Sequence, residues 1–243
     1  RETPDMATRL PSLRPEPIGF AHRGGRAHAP ENTLDAFTLA LRLGATGLES
    51  DAWITADGHV ALHHDGVIGR VRRKALSLVQ RHHLPEHIPT LEELYDTCGS
   101  DFELSLDVKD PEAAPAIVDA ARAAGSGALG RLWLCHPDWT QVAAWRSLAP
   151  EVRLVDSTRL RRIKEGPERR AARLVEVGID AINLHHSDWT GSLTTLFHRF
   201  ERYCLGWDAQ HDRPLAALID MGIDGVFSDH VDRMVDALAS ARG

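Results

Sequence analysis

Short apolar runs alternating with longer helix-like stretches fill almost the whole chain, and this alternation constrains the fold more than any other feature. The runs number about eight, at residues 18–22, 47–53, 102–108, 132–135, 152–156, 181–184, 203–207 and 225–228. Helical stretches between them include 33–43, 91–97, 111–124, 167–177, 214–221 and 230–239. Several open with helix-start chemistry: Pro111 follows Asp110, Pro167 follows Gly166, and Ser228-Asp229 supplies a cap before the last helix. Repeated βα units predict a parallel sheet. With 243 residues and 43% apolar content, the natural closed form is a TIM (β/α)8 barrel, which takes about 250 residues. The expected organisation is a tail at residues 1–17 and a single catalytic domain at 18–243.

One region breaks the rhythm. Residues 54–89, after the second strand, hold a predicted hairpin at Ala56-Asp57-Gly58-His59, where Asp-Gly marks the turn, and then a basic, histidine-bearing segment. This is read as a small insertion rising above the barrel. Its Arg70, Arg72, Arg73 and Lys74 are expected to form a solvated loop face; the sharper reading makes them a rim that attracts an anionic substrate.

Charge and cysteine usage exclude several classes of partner. Thirty-five acidic against 28 basic residues give a net charge of −7, which argues against a nucleic-acid or anionic-membrane surface, so any phosphate site must be local. Three widely spaced cysteines, Cys98, Cys135 and Cys204, do not make a disulfide framework and favour a reducing compartment. No apolar run approaches the roughly 20 residues of a membrane span, and residues 1–16 lack a signal-peptide core. A cytoplasmic location without membrane insertion is expected, provided no leader has been removed.

Carboxylates gather at strand ends. Glu49 and Asp51 are two apart in an extended segment, so both point the same way. Two carboxylates at one point repel unless a cation lies between them, and a hard ion such as Mg²⁺ or Ca²⁺ meets that need. Asp107 and Lys109 repeat the spacing at the end of the third strand, adding an acid and a cation. Three oxygen ligands leave positions open for phosphate oxygens, and Lys109 can neutralise another oxygen or pair with Asp107 or Glu49. His22 and Arg23 end the first strand before Gly24-Gly25, where backbone can approach a ligand and an arginine fork suits phosphate. A second histidine, His63 or His64, follows the hairpin, with Asp65 beside it as an orienting partner; periodicity does not separate the two. Two histidines can divide general-acid and general-base duties across a phosphodiester.

His22-Arg23-Gly24, then Pro30-Glu31-Asn32-Thr33, Phe37, Glu49-x-Asp51, Thr55, Asp57-Gly58 and His64-Asp65 closely resemble the glycerophosphodiester phosphodiesterases. Residues 88–94, Asp107-x-Lys109, Ile182-Asn183, Trp207 and residues 222–225 agree, so the resemblance covers about residues 18–231. It implies a TIM barrel with a small insertion after strand 2, and hydrolysis of a small glycerophosphodiester substrate to sn-glycerol 3-phosphate and an alcohol. It further implies one divalent metal ion, Mg²⁺ or Ca²⁺, on Glu49, Asp51 and Asp107; His22 and His64 as the acid-base pair; and Arg23 and Lys109 on the phosphate. The family histidine directly precedes aspartate, which selects His64 over His63. Glu31 and Asn32 are read as shaping the site or as helix entry.

Two departures stand out. The third acid is usually glutamate in this family, and Asp107 is one methylene shorter, as in the related venom-type phospholipases D, which lack the Pro-Glu-Asn-Thr pattern. The family's Trp-Thr-Val-Asn becomes Trp207-Asp208-Ala209-Gln210, where the pocket meets the leaving group. Asp107 and an apolar rim on the insertion would favour a lysophospholipase D as the alternative enzyme. A catalytically idle phosphodiester-binding barrel is the alternative outside enzymes. Trp207 is expected to stack on glycerol or choline, or to pack in the core. His185, in Ile182-Asn183-Leu184-His185-His186, faces the substrate or stands behind it.

Overall fold

Eight parallel strands close on themselves in the computed structural model, which describes residues 9–69 and 71–241. Strand β1 (Ile18–Ala21) pairs with both β2 (Gly47–Ile54) and β11 (Gly225–Ser228), and the ring continues through β6 (Glu103–Val108), β7 (Leu132–His136), β8 (Arg153–Ser157), β9 (Ala181–His185) and β10 (Tyr203–Trp207). This is the TIM barrel expected from the alternation. Helices α1 (Leu34–Arg42), α2 (Leu91–Cys98), α3 (Ala114–Ala123), α4 (Trp139–Ala144), α5 (Pro167–Val177), α6 (Gly191–Arg199), α7 (Asp212–Asp220) and α8 (Val231–Ser240) surround it. None is long and apolar enough to cross a membrane.

Local chemistry sets the helix starts. Thr90 and Glu93 form a reciprocal capping box at α2, and the Thr33 hydroxyl accepts from Ala36 N at α1. Pro167 occupies the first turn of α5, and Gly178 ends that helix in the left-handed conformation. Helices α4 and α6 were not among the stretches read from sequence. Only six residues long, α4 gives too short a pattern to show a period.

Two apolar layers follow from the strand period. Inside the barrel, Ile18, Phe20, Trp133, Val155, Leu205 and Phe227 pack together; Phe20 stacks on Phe227 at 4.5 Å between ring centroids, and Trp133 meets Phe20 edge-on at 6.2 Å. Gly47 makes room for this cluster, because a Cβ there would lie 2.6 Å from the Phe20 ring. Outside, Leu48, Leu104, Leu134, Leu154 and Ile182 face the helices and meet Phe37, Leu94, Ile117 and Leu174. Each such side chain contributes roughly 1.5–3 kcal/mol by leaving water.

At the amino-terminal mouth the buried Asp224 carboxylate accepts from Ser12, from the backbone N–H groups of Leu13, Arg14 and Cys204, and lies 2.7 Å from His198 Nε2. Residues 12–14 are tied down at that mouth, and chemistry in this fold belongs to the opposite one.

The insertion has its own small core. Strand β3 (Val60–Leu62) runs back along β2 with Ile54 opposite Val60, giving the expected hairpin, with Gly58 at φ 85° in the turn. A second hairpin, β4 (Val67–Ile68) and β5 (Lys74–Ala75), follows, and Ala61, Leu76, Val79, Leu84 and Ile88 pack beneath it. Arg72, Arg73 and Lys74 are exposed and do not line the main cavity; Arg70 lies outside the described residues.

Candidate active site

Side chains two apart on a strand share a face, and the parity of the inner core carries upward to the carboxyl-terminal mouth. From Phe20 it reaches His22, from Gly47 it reaches Glu49 and Asp51, and from Ser105 it reaches Asp107. Registered pairing of Asp51 with Asp107 across β2 and β6 places these two acids side by side. Carboxylate oxygens of Glu49, Asp51 and Asp107 all lie within 4.8 Å of one another. Shorter though it is, Asp107 reaches the other two.

The acids carry unequal electrostatic loads. Lys109 Nζ is 3.1 Å from Asp107 Oδ2 and 3.3 Å from Asp51 Oδ1, and Arg23 Nε is 3.4 Å from Asp51 Oδ2. Glu49 is 5% exposed and accepts from the Arg23 backbone N–H at 2.8 Å. Burial, with repulsion from Asp51 and Asp107, pushes its carboxyl up to about 8 against the attraction of His22. A buried carboxylate so destabilised, beside two others, is a donor set a hard divalent cation would relieve, so the residues present fit a metal ion.

Space for a small molecule opens beside them. A cavity of about 640 Å³ is lined by His22, Arg23, Glu49, Asp107, Lys109 and Trp207, among others. His22 opens a short helical turn, His22–Gly24, in which Arg23 takes φ 50°; this strained backbone turns the Arg23 N–H onto Glu49 and its guanidinium toward Asp51 and Glu31. Strain at a site of convergent charge is what function tends to hold in place.

His22 Nδ1 lies 2.6 Å from Asp229 Oδ1, just past β11, and its Nε2 lies 3.8 Å from Glu49 Oε2. Burial lowers the pKa of His22, but Glu49 and Asp229 more than offset this and the net shift is upward. Asp229, which also accepts from Arg26 Nε at 3.0 Å, is held below the usual carboxylate range: burial opposes the shift, and the His22 contact drives it. The cap expected from Ser228-Asp229 is not made: α8 starts from His230 with no side-chain cap, Ser228 Oγ accepts from His230 N, and Asp229 turns to His22 instead. The alternation 225, 227, 229 was the available signal, since it continues the inner face of Phe227.

His64 stands apart from His22. It follows β3, its Nδ1 is 3.0 Å from Asp65 Oδ1, and its side chain is 41% exposed. Together with Glu31, Asn32, His63 and His87 it lines a smaller neighbouring pocket of about 280 Å³, and it is not on the wall of the main cavity. His63 instead braces the turn, its Nδ1 accepting from Asp65 N at 3.1 Å.

The remaining candidates also find places. Asn32, at φ 55° and buried, donates to Asp51 Oδ2 and accepts from Ser50 Oγ, so it holds a proposed ligand, while helix entry falls to Thr33. Glu31 pairs with Arg23 Nη1 at 3.0 Å. Trp207 lines the cavity, whereas His185 sits behind it, its ring edge-on at 4.7 Å and its Nε2 3.2 Å from Asp208. Gln210, in the altered stretch, accepts from Asp229 N at 2.8 Å and so fixes the backbone of the partner of His22.

Known proteins share the sequence pattern and the fold. The glycerophosphodiester phosphodiesterase of Caldanaerobacter subterraneus subsp. tengcongensis is 35% identical over 107 residues, covering 37% of this chain and 44% of that protein. That of Bacillus altitudinis is 25% identical over 237 residues, covering 89% of this chain and 96% of the relative. A solved phosphodiesterase structure from Oleispira antarctica, in complex with the product sn-glycerol-3-phosphate, superposes with a TM-score of 0.76 at 20% identity, covering 92% of this chain and 97% of that one. Residues 22–233 match the sequence profile of the Glycerophosphoryl diester phosphodiesterase family, and the chain belongs to that family.

Proposed function

We propose that residues 18–243 form one catalytic unit, a metal-dependent glycerophosphodiester phosphodiesterase that yields sn-glycerol 3-phosphate and an alcohol. The observation that carries this reading is the meeting of His22, paired with Asp229, with Glu49, Asp107, Arg23 and Lys109 at one cavity, the buried Asp51 carboxylate standing within 4.8 Å of the other two acids. The family membership and the product held by the Oleispira protein support it.

Glu49, Asp51 and Asp107 would hold Mg²⁺ or Ca²⁺, which supplies Lewis-acid polarisation of a phosphate oxygen when bound. Arg23 and Lys109 bind and orient the phosphodiester, offsetting charge that grows on its oxygens. Asp229 fixes the Nδ1 side of His22 and leaves Nε2 free to move a proton. His64 has a matching carboxylate on Nδ1, Asp65, and from the adjoining pocket would serve as the second proton-transfer group for a diester that extends to it. One imidazole accepts the proton of the attacking oxygen as the new P–O bond forms; the other donates to the alcohol oxygen as the old P–O bond breaks.

The deciding experiment assays chelator-treated protein on a panel of glycerophosphodiesters and on lysophosphatidylcholine, restoring Mg²⁺ and Ca²⁺ separately. Expected is release of sn-glycerol 3-phosphate that requires the metal. Undiminished activity after thorough chelation would overturn the metal role, and cleavage of lysophosphatidylcholine alone would establish the lysophospholipase D instead.

A further inference from the structure

The cavity wall contributed by the loop after β8 is cationic. Arg159, Arg161 and Arg162 all line it, with Asp208 and Trp207 alongside. Arg159 is already neutralised: its Nε and Nη2 lie 2.7 and 3.1 Å from the two oxygens of Asp188. The same Asp188 accepts from Leu160 N at 3.1 Å, which anchors the short helical turn Leu160–Arg162. Asp208 is engaged by His185 at 3.2 Å and by Gln210 Nε2 at 3.2 Å. Among the described residues Arg161 and Arg162 have no carboxylate partner, and a further cation, Lys164, donates to the Arg161 carbonyl. Two exposed arginines without a carboxylate partner among the described residues thus stand on the cavity wall, on an anchored loop.

Trp207 bears on the same question. The Arg159 guanidinium carbon is 5.7 Å from its ring centroid, and the His185 ring meets it edge-on. The indole already has a cation against it, so a quaternary ammonium would have to compete with Arg159 while being repelled by Arg161 and Arg162.

Resting on the function proposed above, we infer that this wall selects glycerophosphodiesters whose alcohol carries a further anionic group, a phosphate or a carboxylate. The shared phosphodiester lies at Arg23 and Lys109, and the second anion is received by Arg161 and Arg162, whose planar forks suit either group.

The test compares kcat/KM for a set of glycerophosphoryl esters under saturating metal: choline as the cationic alcohol, glycerol as the neutral one, and alcohols ending in a phosphate or a carboxylate. Expected is a preference of about tenfold or more for an anionic ester over the choline ester at low salt, shrinking as salt screens exposed charge. Which anion leads tells phosphate from carboxylate. In the double variant Arg161→Ser, Arg162→Ser, with folding checked by circular dichroism and thermal melting, the ratio of anionic to neutral kcat/KM falls about tenfold. A choline ester cleaved as well as the anionic esters, or a ratio untouched by the double variant, overturns the selectivity while the phosphodiesterase reading stands. No turnover of any ester with any divalent ion overturns both.

Discussion

His22 and Asp229 join the first strand of the barrel to the end of the last one through a 2.6 Å contact. The contact fixes the ring of His22 and raises its proton affinity, so removing it has a signed consequence. In Asp229→Asn the amide cannot stabilise the imidazolium, and kcat/KM is expected to fall roughly 10²-fold or more. The limb of the pH–rate profile belonging to His22 moves to lower pH, because a carboxylate that raises its pKa is gone. A profile displaced upward would contradict the assignment.

His22→Ala and His64→Ala are each expected to lose ~10²–10⁴-fold in turnover. His63→Ala, which loses only a brace on the Asp65 backbone, keeps activity within about tenfold of the parent. Steady-state rates on glycerophosphocholine measure all three. Retention of more than about a tenth of activity in either of the first two removes that histidine from proton transfer.

Metal binding at the proposed ligands is expected to release a proton from Glu49. Burial and the neighbouring Asp51 and Asp107 push its carboxyl up toward the protonated form in the metal-free protein, whereas a metal ligand must be ionised. Calorimetric titration of chelated protein with Mg²⁺ or Ca²⁺, in buffers of different ionisation enthalpy, should show proton release at neutral pH that shrinks as pH rises. A raised folded-state pKa also means that this group's contribution to the stability of the metal-free protein is present below 4.5 and is lost as pH climbs through about 8. Release that grows with pH would refute this.

Behind the barrel, Asp156 on β8 is fully buried and meets Arg170 Nη1 of α5 at 2.6 Å. Burial raises its carboxyl to about 6 even with that partner. Arg170→Leu leaves the acid uncompensated and should cost about 3–5 kcal/mol in urea unfolding. Without Arg170 the carboxyl rises further, so the loss is smaller at pH 5, where Asp156 is neutral, than at pH 8. Equal losses at the two pH values would sink this account.

The barrel was legible because eight apolar runs keep strand parity, and the same parity brings Glu49, Asp51 and Asp107 together. Contacts made by ring closure were not legible. Asp229 is 207 residues from His22, and only the meeting of β1 with β11 makes them neighbours. His64 was found from its neighbour Asp65, yet which pocket it enters depends on how the insertion packs its own core. Arg161 and Arg162 gave no signal at all, since an arginine pair in a loop ordinarily meets only water. Asn32 was half legible: its position in Pro30-Glu31-Asn32-Thr33 marked it, but its left-handed backbone and its bond to Asp51 belong to the tertiary structure.

The seam between β1 and β11 gives the protein a timing property. A chain emerging from the ribosome presents His22 and the three acids first, but the carboxylate that orients His22 is translated after every strand of the barrel and reaches it only when the last strand docks. Partial barrels made during synthesis therefore lack an oriented His22 until the last strand is in place.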